Sequence, residues 1–550
     1  MLALEPTDDL AKPAFKDASS CTKWLSQLQL TNLNLAQGTL RKQVDELNRF
    51  AMRGNDRLQT LESLRETVSI VQRDYAKKLS GKKLPFSDDE FTLLIALTSL
   101  WQSMLNGYLR CLQSASSGDK HLADKVVMLC HRSLFYSALQ LEEAVHAGYE
   151  PDAKSWQQFH DLYAHVEKMN LETEIVRDSF VFGGLSTSCR TLYAKTLLLH
   201  HARLLGLTRL QWKITDRWLC LWGDTLTIEP RCSMSKDDAP PLCLDLVRPR
   251  GLQAIQHAQN LDSMRFLAMV PLSKQIRVKT ILLQQGQTPK QVELGDELPS
   301  RECVELLNRL HQWWCEKHAE SLADTPREAP GLYMCVGLEQ IYAHIARKPF
   351  KAIKDKGNSA KEAQRQIETF GRVLDETGQH DTKEIGFAPE DWLAEEDGVL
   401  RGRLLRMHKT GERLAANHVL SVFQSNNPAA HKIGIVDMVR MTNHGQLYIG
   451  IHYLPGQPQS VVIRGNADNE MLQSGSAPAL LLPAIEKLRI PASLVLPRDW
   501  FQAGRTLELN LPDQSKQKVT LGFSVEKGSD FERVSFTQSA QEPAKGRPLI

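Results

Sequence analysis

Much of what would assign a function outright is missing from these 550 residues. Ten cysteines are scattered along the chain, among them Cys21, Cys111, Cys130, Cys189 and Cys335, but no Cys-x-x-Cys pair occurs. Such a pattern excludes the common zinc-ribbon and dithiol motifs and reads as reduced, mostly buried thiols of an intracellular protein. The N-terminus, MLALEPTDDLAKPAFKDASS, has no basic stretch followed by an apolar core, so no secretory signal is expected. No window of about 18–20 apolar residues exists, so no membrane span is expected either. Charge of one sign is also lacking: 67 Lys and Arg against 65 Asp and Glu leave +2, no global field for nucleic acid or an anionic membrane. No G-x-S-x-G elbow, phosphate-binding G-x-x-x-x-G-K-[ST] loop, G-x-G-x-x-G turn or H-E-x-x-H motif is found. These absences lead us to expect a cytoplasmic protein that is not an enzyme, with no catalytic residues, no bound metal and no cofactor.

The chain does have the length for about three to five domains. Its 42% hydrophobic and 24% charged content is that of a soluble globular protein. Residues 1–20 read as a disordered leader and residues 21–208 as a helical domain. Leu40, Val44 and Leu47, then Leu58, Leu61, Leu64, Val68 and Val71, recur at helical spacing. Gly54-Asn55-Asp56 breaks that pattern, and Ser87–Glu90 reads as a capping box opening a further helix. Trp156, Phe159, Tyr163 and Val166 share one helical face. There is no repeat near 34 residues, so a bundle is expected rather than a helical array.

From about Leu210 the period changes. LQWKITDRWLCLWGDTLTIEP, Leu242–Val247, Phe266–Pro271 and Gln275–Gln284 read as short strands, making residues 209–300 a small β module. Residues 301–347 read as connecting helices and a strand, with Trp313 and Trp314 on one helix. Residues 348–390 are charge-dense and read as a flexible polar linker. Residues 391–537 are rich in short strands: Gly434–Met441, Gln446–Leu454, Ser460–Arg464, Ala492–Pro497, Thr506–Leu511 and Lys518–Val525. Bounded by Gly, Pro, Asn or Asp, they predict a small antiparallel barrel or sandwich. Residues 538–550 read as a frayed tail. The expected fold is α+β multidomain: an N-terminal all-helical domain followed by two small antiparallel β-barrel modules.

HKIGIVDMVR, GQLYIGIHYLPGQPQSVVIR, PASLVLPRDWFQAGRTLELNLP and VTLGFSVEKGSDFERVSF, with GLYMCVGLEQIYAHIARKPF and the helical WLSQLQLTNLNLAQGTLRKQVDELNRF, resemble large bacterial PilZ-domain proteins. The likeness spans most of the chain. It implies that both β modules are PilZ-like, the one at 209–300 in degenerate form. It also implies cyclic di-GMP as a regulatory ligand, read by an R-x-x-x-R switch before the barrel and a [D/N]-x-S-x-x-G motif on it. Arginine forks grip phosphate and stack on guanine.

Asp397 and Gly402 keep their places in the second motif. Val399 stands where the serine would donate a hydrogen bond. The R-x-x-x-R switch is missing from its expected place at Phe370–Trp392; its nearest approximations are Arg347 with Lys351 and Lys361 with Arg365, and lysine cannot fork as arginine does. Arg401, Arg403 and Arg406 complete the candidate rim, with Arg401 and Arg403 on one strand face and Arg406 on the other. The bland reading of these arginines is a solvated barrel face. Histidines 160, 165, 200 and 201 read as packing or surface groups. Glu142-Glu143 reads as an exposed helix edge, since neighbours on a helix diverge by about 100°. Function then reads as a non-enzymatic signalling effector or adaptor whose helical domain binds a protein partner. The alternative is a ligand-independent scaffold with ligand-dead barrels. Few aromatics on the barrel strands (Tyr448, Tyr453, Phe523) argue against a nucleic-acid binder.

Overall fold

The computed structural model describes residues 4, 6–8, 10–181, 184, 186–204, 207–233, 238–255, 261–316, 332–351, 388–406, 410–424, 426–465 and 475–538. The chain forms two compact units. One comprises Met1–Lys82, Phe86–Asp324 and Arg440–His444, the other Lys83–Pro85, Thr325–Val439 and Gly445–Ile550.

The first unit opens with α1 (Ala18–Leu25), α2 (Leu33–Arg49), α3 (Gly54–Ala76), α4 (Asp88–Ser116), α5 (Val126–His146) and α6 (Ala153–Lys168). The hairpin β1 (Val176–Arg177) and β2 (Ser186–Thr187) leads to α7 (Cys189–Leu204) and α8 (Arg209–Leu221). Ser87 and Glu90 form the capping box that starts α4, and three acidic residues in its first turn suit the helix dipole. Gly107 lets α3 cross closely, since a Cβ there would sit 2.7 Å from the Leu61 side chain. The leader is not loose. Ala11 and Phe15 are buried, the Phe15 ring lies 5.2 Å from Trp24, and the Asp8 N–H donates to Arg49 O at 2.8 Å. No helix among the described residues is long and apolar enough to cross a membrane.

The described residues of 209–300 form no barrel. They contain α8, four short strands, β3 (Thr227–Glu229), β4 (Leu242–Asp245), β5 (Gln253–Ala254) and β6 (Met264–Ala268), in the open order β3-β6-β4-β5, and then α9 (Val270–Gln284). Two of the expected strands are helices. In α8, the Thr208/Gln211 capping box starts the helix, and Trp212, Thr215, Trp218 and Leu219 face inward at spacings of three and four. In α9, Leu272, Ile276, Thr280 and Leu283 do the same. β-branched residues disguised a helical period. α10 (Ser300–Cys315) follows, with Trp314 in the core and the half-buried Trp313 packed against that core under Arg309.

The second unit contains two closed antiparallel six-stranded barrels. The helical domain and both barrels agree with the expected fold class; the barrels' places differ. The first barrel starts at β7 (Leu332–Val336), inside the segment read as a connection. It continues after α11 (Leu338–Ala346) with β8 (Glu390–Asp397), β9 (Arg401–Arg406), β10 (Val419–Gln424), β11 (Asn427–Met441) and β12 (Leu447–Tyr453). The second comprises β13 (Gln459–Gly465), β14 (Ser476–Leu482), β15 (Ser493–Pro497), β16 (Thr506–Asn510), β17 (Lys516–Lys527) and β18 (Phe531–Gln538). Residues 391–537 therefore hold most of one barrel and all of another. β7 closes the first barrel by pairing Leu332 with both Trp392 and Gln424, a non-local match that no strand pattern reveals.

One apolar cluster bridges the two barrels, apart from the second barrel's own core around Val461, Ile463, Leu494 and Leu507. Cys335, Ile341, Phe423, Ile433 and Ile435 of the first meet Leu480, Leu482, Val495 and Phe531 of the second. Each such side chain contributes about 1.5–3 kcal/mol on burial. The turn between β17 and β18 hooks the first barrel. Ser529 N–H and Oγ donate to Asn417 O at 2.8 and 2.9 Å, and the Val419 N–H donates to Asp530 Oδ1 at 3.0 Å.

Candidate functional site

The candidate residues gather mainly at one end of the first barrel. β8 runs past the start of β7 and turns into β9 at Gly398–Leu400, where the Gly398 N–H donates to Arg401 O at 2.9 Å. β10 reaches the same end, because Gln424 pairs with Leu332. Lys432 ties the two hairpins together, with Nζ 3.5 Å from Gly398 O and 4.9 Å from the centre of the Tyr453 ring. α11 starts from Gly337, at the far end of β7, and runs back along the barrel. His344 packs on Phe423 at 5.9 Å, and Arg347 follows it in left-handed backbone at the helix end. Its charge is felt at His431, the neighbour of Lys432. Burial lowers the His431 pKa to about 4, and His344 and Arg347 push the same way.

Asp397 and Gly402 face each other across the β8–β9 register. Val399 and Leu400 at the tip are 87% and 71% exposed. Arg401 and Arg403 share the outer face of β9, as alternation requires, opposite His452 and Gly450 of β12. Gly402 faces inward, where a Cβ would lie 2.8 Å from the Tyr453 hydroxyl. The space the glycine opens is thus taken by Tyr453. Arg406 does not join the rim. It lies five residues along β9 from Arg401, about 16 Å away, and is 1% exposed. Its Nη1 donates to Glu390 Oε2 at 3.0 Å and to Glu412 O at 2.8 Å, beside the Trp392 ring. It is engaged in holding the opposite barrel end together. Arg347 and Lys351 are both exposed after α11. The rest of the linker they introduce, residues 352–387, lies outside the described residues, as does the tail from residue 539.

One cluster carries no local sequence signal. His452 Nδ1 lies 2.6 Å from Asp437 Oδ1, and its Nε2 lies 3.0 Å from Glu526 Oε1. The hydrogen bonds to Asp437 and then Glu526 raise its pKa to about 9. Asp437 lies 15 residues before His452 and Glu526 74 after it, so only the register of three strands unites them.

Elsewhere the titratable groups are closed on one another. Asp178 is fully buried. Arg65 Nη2 lies 3.0 and 2.9 Å from its two oxygens, and Arg132 Nη1 lies 2.5 Å from Oδ2. Burial alone would raise the Asp178 pKa, but the two arginines outweigh it and hold the carboxyl below its ordinary range. Glu142 and Glu143 are not an exposed edge. Burial raises both to about 7, Glu142 beside Lys195 and Asp216, Glu143 beside Trp101 and Arg209. They do diverge, as a helix requires. His160 spends both nitrogens, on Tyr193 Oη at 2.6 Å and Arg250 O at 2.9 Å. Among the described residues no His, Cys, Asp and Glu group is arranged to hold a metal.

Ser273 Oγ, His311 and Glu316 stand at 2.9 and 3.4 Å, the bond pattern of a nucleophile, base and orienting carboxylate. Two facts argue against that chemistry. Ser273 lies inside α9 and is 6% exposed. Arg277 Nε donates at 3.1 Å to the same His311 nitrogen that would have to take the serine proton.

Two stretches of the chain match known families. Residues 19–231 match the N-terminal domain of the cyclic-di-GMP receptor FimW, and residues 467–539 match the FimW C-terminal β-barrel domain. The first stretch covers most of α1 and continues through β3; the second covers β14 through β18. Both ends of this chain are thus similar to a receptor family. The first barrel, with every candidate residue, lies between the two matches. No curated protein and no solved structure matched the chain.

Proposed function

We propose that the chain is a cyclic di-GMP receptor: a signalling effector that binds the dinucleotide at the Gly398 end of its first barrel and relays occupancy to a protein partner through the helical domain. The observation that carries this reading is the match of residues 19–231 to the N-terminal domain of a cyclic-di-GMP receptor, joined by the barrel match at 467–539. The site itself is supported by chemistry. A cyclic dinucleotide carries two phosphates and two flat purines. Arg401, Lys432 and Arg347 offer cations at one barrel end, and Val399 and Leu400 offer exposed apolar surface on which a base can lie. Arg406, neutralised by Glu390, is left out of it.

Calorimetric titration of the full chain with cyclic di-GMP tests the reading, with Arg401→Ala and Arg347→Ala beside the wild type. Saturable binding that weakens in both variants supports receptor and site together. Binding that both variants keep moves the ligand elsewhere in the chain. No binding by the folded protein leaves the ligand-independent scaffold, which Val399 and the filling of the Gly402 space by Tyr453 favour.

A further inference from the structure

The proposed site leaves one charged cluster without a task. His452 stands opposite Arg401 on the neighbouring strand. Asp437, on β11, belongs to the same barrel; Glu526, on β17, belongs to the other. A neutral imidazole has one N–H, whereas here both ring nitrogens face carboxylate oxygens, at 2.6 and 3.0 Å. Only the imidazolium donates to both. The raised pKa agrees with that state. The same β17–β18 hairpin is hooked a few residues further on, where Ser529 donates to Asn417 O and Asp530 accepts from Val419. The apolar seam between the barrels is non-directional, so it sets their separation more than their angle. Hydrogen bonds set the angle.

We infer that His452 is the positioning residue that fixes the second barrel on the ligand-facing rim of the first, and that an anion held at Arg401 is felt by β17 through it. A phosphate beside the imidazolium competes with Glu526 for its Nε2 proton and draws the guanidinium of Arg401 away. The charged groups around His452 are Arg401 and Arg403 on β9, Asp437 on β11, Glu526 on β17 and Arg533, which pairs with Glu526 from β18. The coupling half of the inference rests on the cyclic di-GMP reading; the positioning half does not.

Hydrogen exchange by mass spectrometry on the full chain separates the two halves. The reporter is the β17–β18 turn, where the Ser529 N–H is tied to Asn417 O. In His452→Gln the turn exchanges about fivefold faster, while α4 and α5 are unchanged. Glu526→Gln, which leaves the His452–Asp437 pair in place, gives the same local effect should His452→Gln fold poorly. Unchanged exchange in both variants overturns the positioning role. On adding cyclic di-GMP, exchange at the turn shifts in wild type and not in Glu526→Gln. Calorimetric binding without any shift in wild type overturns the coupling. Absence of binding counts against the receptor reading alone, and the ligand-free comparison still decides the positioning role.

Discussion

The helical unit and the two-barrel unit each contain a set of charges from distant parts of the sequence, and the two sets are built oppositely. Asp178 is sealed, and Arg65 and Arg132 meet it at 2 and 6% side-chain exposure. His452 is about one-third open, at 32%, and its two carboxylates come from different barrels. A sealed set has no room for a ligand and no element free to move, so its work is to hold the β1–β2 hairpin on α3 and α5. An open set across a seam, beside a rim of arginines, can change partners. Burial and the ownership of each charge distinguish a fastening from a joint.

The largest effect that would test this comparison is at the sealed end. Asp178→Ala leaves two arginines buried without a counter-charge, and unfolding by denaturant should show a loss of about 3–5 kcal/mol. A loss below about 1 kcal/mol, the range of exposed pairs, would show that water reaches the cluster and would erase the contrast. Acid should act here too. The Asp178 pKa is held down in the fold, so its contribution is present above the unfolded value near 4 and disappears as pH falls through the folded one.

Gly402→Ala probes the rim's packing. The new methyl meets the Tyr453 hydroxyl at 2.8 Å, and overpacking should cost about 1–3 kcal/mol. A neutral result on thermal melting would mean that Tyr453 swings aside and that the space under Gly402 is open to a ligand. Arg401→Ala should leave stability within about 0.5 kcal/mol, as exposed substitutions do. It should weaken cyclic di-GMP binding about tenfold, equivalent to about 1.4 kcal/mol.

The smallest effect belongs to the open cluster itself. The His452 pKa is raised in the fold, so its contribution is complete below the unfolded value near 6.5 and is lost as pH rises towards about 9. With a third of the side chain exposed, solvent screening limits this to about 1 kcal/mol. Wild-type stability should fall by that amount between pH 7 and 10 relative to His452→Gln. Parallel curves would mean the imidazole is neutral and the joint is uncharged.

How much the sequence reveals depends on how local the cause is. The strands at Gly434–Met441, Gln446–Leu454, Ser460–Arg464, Ala492–Pro497, Thr506–Leu511 and Lys518–Val525 all exist, because alternation and turn residues act within a few positions. Their division between two barrels was illegible, since β7 joins its barrel only by pairing with strands far along the chain. The pattern of α8 and α9 does not separate helix from strand because Trp, Ile, Val and Thr suit both periods, and tertiary packing decides. At the site, alternation placed Arg401 and Arg403 together and Arg406 apart. Burial of Arg406 against Glu390 and the meeting of His452 with Glu526 needed the folded register. Glu142 and Glu143 looked like surface because the groups that enclose them come from other helices.

Isothermal titration calorimetry measures most directly whether the full chain binds cyclic di-GMP. Saturable binding by wild type, weakened about tenfold by Arg401→Ala, is the expected result. A folded protein that gives no binding heat at high micromolar ligand would contradict it.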